Sequence, residues 1–218
     1  MRKTTECTES ENRHKWIRKD PGRKRGKTVF LDRDGVIVDD VHYLRSIDDI
    51  QIRPGLQSFL KYTKSNGYLN VVVTNQSGIR RGLYTWGEYE KINQAIMDKS
   101  DTEEYIDGIY ANDGLRVENK RSWRKPGIGM IRSAEIDLGA DVLESIMVGD
   151  RLTDLLCAAN AGIQNLYYMQ PSHSSDKGKD MHEYLREACE INIREVRIRK
   201  VDSLEEILED IQERSGKN

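Results

Sequence analysis

The chain has 218 residues, of which 33% are charged and 37% hydrophobic, and its formal net charge is −2. These values predict one globular domain with a full core, and they exclude a disordered chain and a basic nucleic-acid surface over the whole molecule. No apolar run reaches the ~18 residues of a membrane span. The three cysteines lack CxxC spacing, which argues against a disulfide framework or a zinc ribbon. We therefore expect a cytoplasmic protein without a membrane partner.

The first 27 residues hold ten lysines and arginines against four acids. We expect this basic segment to be a solvated, partly disordered leader, with Trp16 and Ile17 as candidates for packing on the domain. Its Arg23-Lys24-Arg25 cluster leaves contact with nucleic acid or a phosphorylated ligand open as an alternative. The domain itself is predicted over residues 28–218.

The first predicted strand of this domain ends in acidic residues. An apolar run from Thr28 leads to Asp32 and Asp34, and Gly35 follows. Alternate residues of a strand share one face, which places the two carboxylates about 7 Å apart along the backbone. They repel each other unless a cation or a proton lies between them. Because glycine also permits a sharp turn, the stretch predicts a metal-assisted phosphoryl-transfer site.

The rest of the chain alternates between predicted helices and strands. Pro54 suits the start of the first helix, and Thr85 with Glu88 predicts a capping box at the start of another. A further helix carries Asp154 and ends at Gly162. The other strands are predicted over residues 68–73, 106–111, 145–148, 164–169 and 196–200. Besides the helix that ends at Gly162, helices are predicted over residues 54–66, 85–99, 128–138, 181–190 and 203–212. A loop is predicted over 171–179.

This alternation predicts an α/β fold, a doubly wound parallel sheet with helices on both faces. In such folds the ligand site lies beyond the carboxyl ends of the strands. Polar residues follow Leu31, Val73 and Val148, each at the end of a predicted strand. Separate segments of the chain therefore predict one shared crevice.

Four motifs resemble, in order, those of the haloacid-dehalogenase-like phosphatases. They are FLDRDGVI at 30–37, VTNQSGI at 73–79, RKP at 124–126 and VGDRLTD at 148–154. The residues of these motifs are most similar to those of the branch that contains histidinol-phosphate phosphatase and D-glycero-D-manno-heptose 1,7-bisphosphate phosphatase. The resemblance implies a Rossmann-like fold without a large cap domain, and a Mg²⁺-dependent phosphatase.

The resemblance also implies a role for each matching residue. Asp32 would be the nucleophile that forms an aspartyl-phosphate, and Asp34 would protonate the leaving oxygen and then activate water. The Asp32 carboxylate, the Asp34 main-chain carbonyl and Asp150 would hold Mg²⁺, and Asp154 would orient the metal shell. The phosphoryl oxygens would be bound by Thr74, the Asn75 backbone and Lys125.

Three arginines are candidates for binding a second phosphate, namely Arg81, Arg124 and Arg151. A second phosphate favours a sugar bisphosphate, in particular the heptose 1,7-bisphosphate, over histidinol phosphate, whose amine would need acidic partners. Solvated or surface-paired arginines remain the alternative. A histidinol-phosphate phosphatase, a polynucleotide-end phosphatase and a phospholigand-binding protein without turnover also stay open. We expect a monomer that acts on a small phosphorylated sugar, not on nucleic acid.

Many members of this branch bind a structural zinc through Cys and His residues just before the RKP motif. Residues 112–123 contain neither Cys nor His, so no structural zinc is expected in this loop. Either Trp123 and charge pairs hold the loop, or it has diverged for a different substrate.

Overall fold

The computed structural model describes residues 4–8, 13–18, 26–170, 180–188 and 196–215. Eight strands form one sheet, in the spatial order β1-β2-β5-β4-β3-β6-β7-β8. Strands β3 to β8 pair in parallel, whereas β1 with β2 and β2 with β5 pair antiparallel. The strands are β1 (Thr4–Thr8), β2 (Arg13–Ile17), β3 (Gly26–Leu31), β4 (Leu69–Asn75), β5 (Gly108–Asn112), β6 (Ala140–Gly149), β7 (Asn165–Met169) and β8 (Arg197–Val201).

Helices cover both faces of the sheet, which confirms the predicted doubly wound fold. Helices α1, α3 and α7 contribute Phe59, Ile96 and Ile207 to one core, and α4 and α5 contribute Met130 and Leu155 to the other. The helices are α1 (Leu56–Ser65), α2 (Ser77–Arg80), α3 (Trp86–Ser100), α4 (Gly129–Leu138), α5 (Leu152–Ala161), α6 (Met181–Ala188) and α7 (Leu204–Ser215).

Two of the predicted helix ends are formed by the residues that the sequence suggested. Thr85 caps α3, where its hydroxyl accepts a hydrogen bond from the backbone N–H of Glu88, and the Glu88 side chain accepts one in return. Gly162 ends α5 in the left-handed conformation, with φ of 102°. Both signals are local in sequence, so they could be read without knowledge of tertiary contacts.

Two parts of the expected leader, β1 and β2, are instead strands of the sheet. In β2 the buried side chains alternate, with His14 and Trp16 facing the core and Lys15 half-buried between them. Counting charges concealed this alternation, because the basic residues occupy the other face. Strand β3 also begins two residues before the predicted boundary at 28. The Arg23-Lys24-Arg25 cluster and the loop predicted over 171–179 lie outside the described residues.

The strand order brings the three polar strand ends together. Strand β3 lies between β4 and β6, and the Asp32 backbone N–H donates to the Val148 carbonyl oxygen at 3.0 Å. The chain leaves β3 toward β4 and later returns to the opposite side of β3 as β6, which is the kind of switch point where ligands bind in open α/β sheets. Within the described residues, no helix combines the length and the apolar character that crossing a bilayer requires.

Candidate active site

A cluster of three buried carboxylates lies at the carboxyl ends of β3 and β6. Asp32 follows β3, Asp150 follows β6, and Asp154 lies in the first turn of α5. One carboxylate oxygen of each lies within 4.8 Å of the other two. Three like charges this close and this far from water require protons or cations around them.

Glycines at two motif positions make this approach possible. A Cβ atom on Gly35 would lie 2.3 Å from Asp150 Oδ2, and one on Gly149 would lie 2.4 Å from the Asp154 Cβ. Gly35 also turns the chain with φ of 83°. The spacing of Asp32 and Asp34 had suggested that both lie on one face of a strand. Strand β3 ends at Leu31, however, so Asp34 belongs to the turn.

The Asp150 carboxylate lacks a complete set of partners. Its Oδ1 atom is buried and accepts no hydrogen bond from any described residue. Burial, together with the carboxylates of Asp154 and Asp32, raises the pKa of Asp150 to about 9. Burial also raises the pKa of Asp32, to about 6, although the Lys125 ammonium opposes the change. This acidic, oxygen-only donor set fits a hard divalent cation such as Mg²⁺.

Lys125 is the buried cation of the cluster. Its Nζ lies 3.0 Å from Asp32 Oδ2 and 2.7 Å from Asp154 Oδ1, and it donates to the Val73 carbonyl oxygen at 2.9 Å. Burial alone would lower the pKa of Lys125, but the carboxylates of Asp154 and Asp32 raise it. The lysine therefore stays charged at neutral pH.

Asn75 holds the backbone of Lys125 in place. The Asn75 side chain accepts from the Lys125 N–H at 3.0 Å and donates to the Lys125 carbonyl oxygen at 3.3 Å. Since Asn75 ends β4, this pair of hydrogen bonds ties the loop before α4 to the central sheet. The sequence suggested only a backbone role for this residue.

A second cation, Arg33, lies beside Asp34 and donates hydrogen bonds to its carboxyl group. Arg33 is 3% exposed, and its Nε and Nη2 donate to Asp34 Oδ1 at 3.1 and 2.9 Å. Its guanidinium lies over the ring of Tyr89, 5.2 Å from the centroid. The side chain of Gln76 donates to Asp34 Oδ2 at 2.8 Å. The two motif acids thus have separate basic partners and do not share one cation.

Trp123 anchors the loop that precedes Lys125. Its ring centroid lies 5.9 Å from that of Tyr110 in β5, and the guanidinium of Arg13 in β2 lies 5.3 Å from its centroid. Arg124 donates to the Gly114 carbonyl oxygen at 2.8 Å. Aromatic and cationic contacts therefore hold this loop against the antiparallel edge of the sheet.

The three candidate arginines lie near one another. Burial lowers the pKa of Arg124, and the charges of Arg81 and Arg151 lower it further. Arg151 donates to Asp40 Oδ2 at 3.1 Å, and Arg81 makes no ion pair with a described residue. Burial alone would lower the pKa of Arg151, but the carboxylates of Asp150, Asp32 and Asp40 raise it. In contrast, the repulsion between Arg124 and Arg81 makes their side of the site suited to an anion.

A cavity of about 250 Å³ connects acids of both motifs with two of these arginines, and Arg81 is not among its lining residues. Asp32 and Asp34 lie along its wall together with Lys125, Arg124 and Arg151. A small phosphorylated molecule fits this volume, and the lining offers carboxylates at one part and guanidinium groups at another.

The structure brings together most of the residues that the sequence singled out and adds three others. The sequence assigned Asp154 a supporting role, but its carboxylate belongs to the cluster itself. The residues without a predicted role are Arg33, Gln76 and Tyr84, all buried beside Asp34. Of these three, only Arg33 had a local signal in the sequence, because it lies between two acids at the end of a buried strand.

The chain is similar in sequence to known phosphatases. Residues 122–188 match the model of the HAD-hydrolase-like family. The D-glycero-beta-D-manno-heptose-1,7-bisphosphate 7-phosphatase of Haemophilus ducreyi is 42% identical over an alignment of 146 residues, and the match covers 63% of this chain and 80% of that protein. The D-glycero-alpha-D-manno-heptose-1,7-bisphosphate 7-phosphatase of Burkholderia mallei is 34% identical, over 64% of this chain and 77% of that protein.

The fold is also similar to a solved structure. The D,D-heptose 1,7-bisphosphate phosphatase from B. bronchiseptica, crystallised with magnesium and phosphate, superimposes with a TM-score of 0.67. The match covers 86% of this chain and 99% of that one, at 24% identity. The agreement extends over nearly the whole of that chain, which supports the predicted α/β fold.

Proposed function

This chain belongs to the haloacid-dehalogenase-like phosphatases, and on that basis we propose that it hydrolyses D-glycero-D-manno-heptose 1,7-bisphosphate to the heptose 1-phosphate. The observation that carries the proposal is the cavity in which Asp32 and Lys125 lie within reach of Arg124 and Arg151. The end with Asp32 and Lys125 suits attack on a phosphate ester, and the end with Arg124 and Arg151 suits binding of a second phosphate. The names of the relatives support the choice of sugar.

In the first step, a carboxylate oxygen of Asp32 attacks phosphorus and the bond from phosphorus to the sugar oxygen breaks. Asp34 transfers a proton to that leaving oxygen, so the sugar departs as a neutral alcohol. The products are an aspartyl-phosphate on Asp32 and an ionised Asp34. The Arg33 backbone N–H donates to Asp32 Oδ1 at 2.7 Å, which leaves Oδ2, beside Lys125, on the side of the phosphoryl group.

In the second step, water attacks the same phosphorus and Asp34 takes its proton. The bond from phosphorus to the Asp32 oxygen breaks, inorganic phosphate forms, and both acids return to their starting states. Lys125 would neutralise the phosphoryl oxygens while charge redistributes, and the Thr74 hydroxyl would donate to one of them. Because Lys125 is buried and already paired, it need not reorganise during the reaction.

Mg²⁺ is part of the proposal. Asp32 and Asp150 would hold it, with the Asp34 main-chain carbonyl as a further ligand and Asp154 orienting the site. The unpartnered Asp150 Oδ1 and the three carboxylates within 4.8 Å support this assignment. When bound, the ion would offset the negative charge of the phosphoryl group beside the nucleophile.

Arg81, Arg124 and Arg151 would bind the phosphate that is not cleaved. Guanidinium groups bind phosphate in bidentate fashion, and mutual repulsion among the three would be relieved by a dianion. Their position selects for a bisphosphate and against histidinol phosphate, whose cationic amine they would repel.

The proposal also places the protein in the cytoplasm as a monomer. The buried free thiol of Cys157 accords with a reducing compartment. Size-exclusion chromatography with light scattering at micromolar concentration would measure the mass in solution, and a dimer would correct the monomer prediction.

Phosphate release from a panel of substrates tests the function. The panel contains both anomers of the heptose 1,7-bisphosphate, histidinol phosphate and a 3′-phosphorylated oligonucleotide, each with Mg²⁺, and Asp32→Asn serves as the inactive control. We expect turnover of the bisphosphates and none in the variant. Silence on every substrate would leave a phospholigand-binding protein, and rapid release from histidinol phosphate alone would overturn the choice of sugar.

A further inference from the structure

We propose that Gln76 is a positioning residue for Asp34, and that Tyr84 fixes the Gln76 amide in that role. The inference rests on the proposed function, in which Asp34 carries the proton to and from the reacting oxygens. It assigns a task to two buried polar residues that the proposed chemistry otherwise leaves unused.

Every hydrogen-bonding position of the Gln76 amide is occupied. Its Nε2 donates to Asp34 Oδ2 and to Thr74 Oγ1, both at 2.8 Å. Its Oε1 accepts from Tyr84 OH at 2.6 Å and from Arg33 Nη2 at 3.0 Å. An amide offers two donors and two acceptor lone pairs, so this side chain, 2% exposed, is fully used.

Tyr84 and Arg33 determine which way the amide faces. Both donate to Gln76 Oε1. The guanidinium can only donate, so a flipped amide would place its NH₂ against Arg33 and its oxygen against the Asp34 carboxylate. Such a flip loses the hydrogen bonds to Arg33 and Asp34, and it leaves the proton of the buried Tyr84 hydroxyl without the Gln76 oxygen as its acceptor. The Asp34 carboxylate therefore always meets an N–H donor on Oδ2.

Arg33 supplies a different constraint. Its guanidinium lies over the ring of Tyr89 and donates to Asn93 Oδ1 at 3.4 Å, which ties Asp34 to α3. Gln76 follows β4, a different strand, and its second donor goes to Thr74 in that strand. The contact thus fixes Asp34 relative to Thr74, where the proposed mechanism places the phosphoryl group.

The same network orients the Thr74 hydroxyl. A hydroxyl that accepts a hydrogen bond keeps its own proton for donation to another acceptor. With Gln76 Nε2 donating to Thr74 Oγ1, the Thr74 proton is directed elsewhere, and in the proposed mechanism a phosphoryl oxygen receives it. The Gln76 amide therefore orients both Asp34, which carries the proton, and Thr74, which would bind the phosphoryl group.

The consequence is a dependence on the leaving group. An alkoxide such as that of a sugar leaves poorly without a proton, whereas acetate and 4-nitrophenolate leave with little help. If Gln76 positions Asp34 for proton transfer, its loss slows sugar-phosphate hydrolysis far more than hydrolysis of acetyl phosphate or 4-nitrophenyl phosphate. A side chain that merely stabilises the fold would slow every substrate alike.

The experiment measures kcat and KM for the heptose bisphosphate, phenyl phosphate, 4-nitrophenyl phosphate and acetyl phosphate. Gln76→Met keeps the shape of the side chain and removes its hydrogen bonds, and Tyr84→Phe removes one donor to Gln76 Oε1. Gln57→Met is the matched control, because the exposed Gln57 contacts Asp101 outside the site. Thermal denaturation confirms that each variant is folded.

We expect Gln76→Met to lower kcat/KM about 100-fold for the sugar phosphate and less than about 10-fold for acetyl phosphate, as expected for partial loss of acid–base catalysis. Tyr84→Phe should show the same trend with smaller losses, and Gln57→Met should match the wild type. An equal loss on all substrates, or no loss, would overturn the inference while leaving the phosphatase intact. If the wild type turns over only the sugar phosphate, a loss carried by KM with kcat unchanged would overturn it as well. A wild type silent on all four would refute the proposed function and the inference with it.

Discussion

Replacing Asp150 by asparagine should stabilise the metal-free protein while abolishing its activity. The Asp150 carboxylate is buried beside two other carboxylates, and its pKa is raised from 3.8 to about 9. One pKa unit corresponds to about 1.4 kcal/mol, so holding this group uncharged at pH 7 costs the fold about 4 kcal/mol at most. Asparagine keeps the size, lacks the charge, and can donate to a neighbouring carboxylate.

Because the three acids are coupled, only part of this cost is recovered on substitution. We expect Asp150→Asn to gain about 1–2 kcal/mol in EDTA, and for a chain of this size that raises Tm by ~2–8 °C. The pH dependence has a definite sign. An acid whose pKa is higher in the folded state binds more protons there than in the unfolded chain. The stability of the metal-free wild type therefore falls as pH rises from about 4 to about 9. The stability of the Asp150→Asn variant should fall less steeply over the same range.

The assay is thermal denaturation from pH 5 to pH 9, in EDTA and in excess MgCl₂. Mg²⁺ should increase the free energy of unfolding of the wild type by about 2.7 kcal/mol at a hundred times the Kd, and so raise its Tm. The Tm of Asp150→Asn should rise much less. The exposed Asp49 provides the matched control as Asp49→Asn. A variant that is less stable than the wild type in EDTA, or that responds fully to Mg²⁺, would refute the reasoning.

Three further predictions concern other parts of the molecule. Gly35→Ala forces a Cβ against Asp150 Oδ2 at a left-handed backbone position, and we expect at least ~100-fold loss of phosphate release; near-normal activity would contradict this. Asp210 is 4% exposed and accepts hydrogen bonds from Tyr167 and three arginines, so Asp210→Ala should cost about 2–4 kcal/mol in urea denaturation, and a cost below ~1 kcal/mol would argue against the network. Burial raises the pKa of Cys157 to about 12, so peptide mapping after iodoacetamide treatment at pH 8 should find this thiol labelled only in denatured protein.

Features that depend on neighbours in sequence were predictable. The sharp turn at Gly35, the capping box at Thr85 and the strand that leads to Asp150 each rest on a few adjacent residues. Hydrophobic periodicity and turn residues encode such elements directly, and strand alternation with helices limits the topology to a doubly wound sheet.

Features that depend on distant partners were not. The strand β2 was missed because its two buried side chains, His14 and Trp16, are flanked and separated by the basic residues Arg13 and Lys15. Its pairing partner β5 lies more than 90 residues away along the chain. Arg33 looks like a solvated charge in sequence. It is buried because Gln76 from one segment and Tyr89 from another surround it.

From β3 onward, the sequence by itself determined the order of the main strands and helices, and it placed Asp32, Asp150 and Lys125 at or near the ends of elements on one edge of the sheet. Only the tertiary structure decided how the charges are paired. It joins Asp154 to the carboxylate cluster and separates Asp34 into a pocket with Arg33. The physical reason is range: backbone conformation follows from adjacent residues, whereas charge pairing at a few ångströms depends on how separate elements pack.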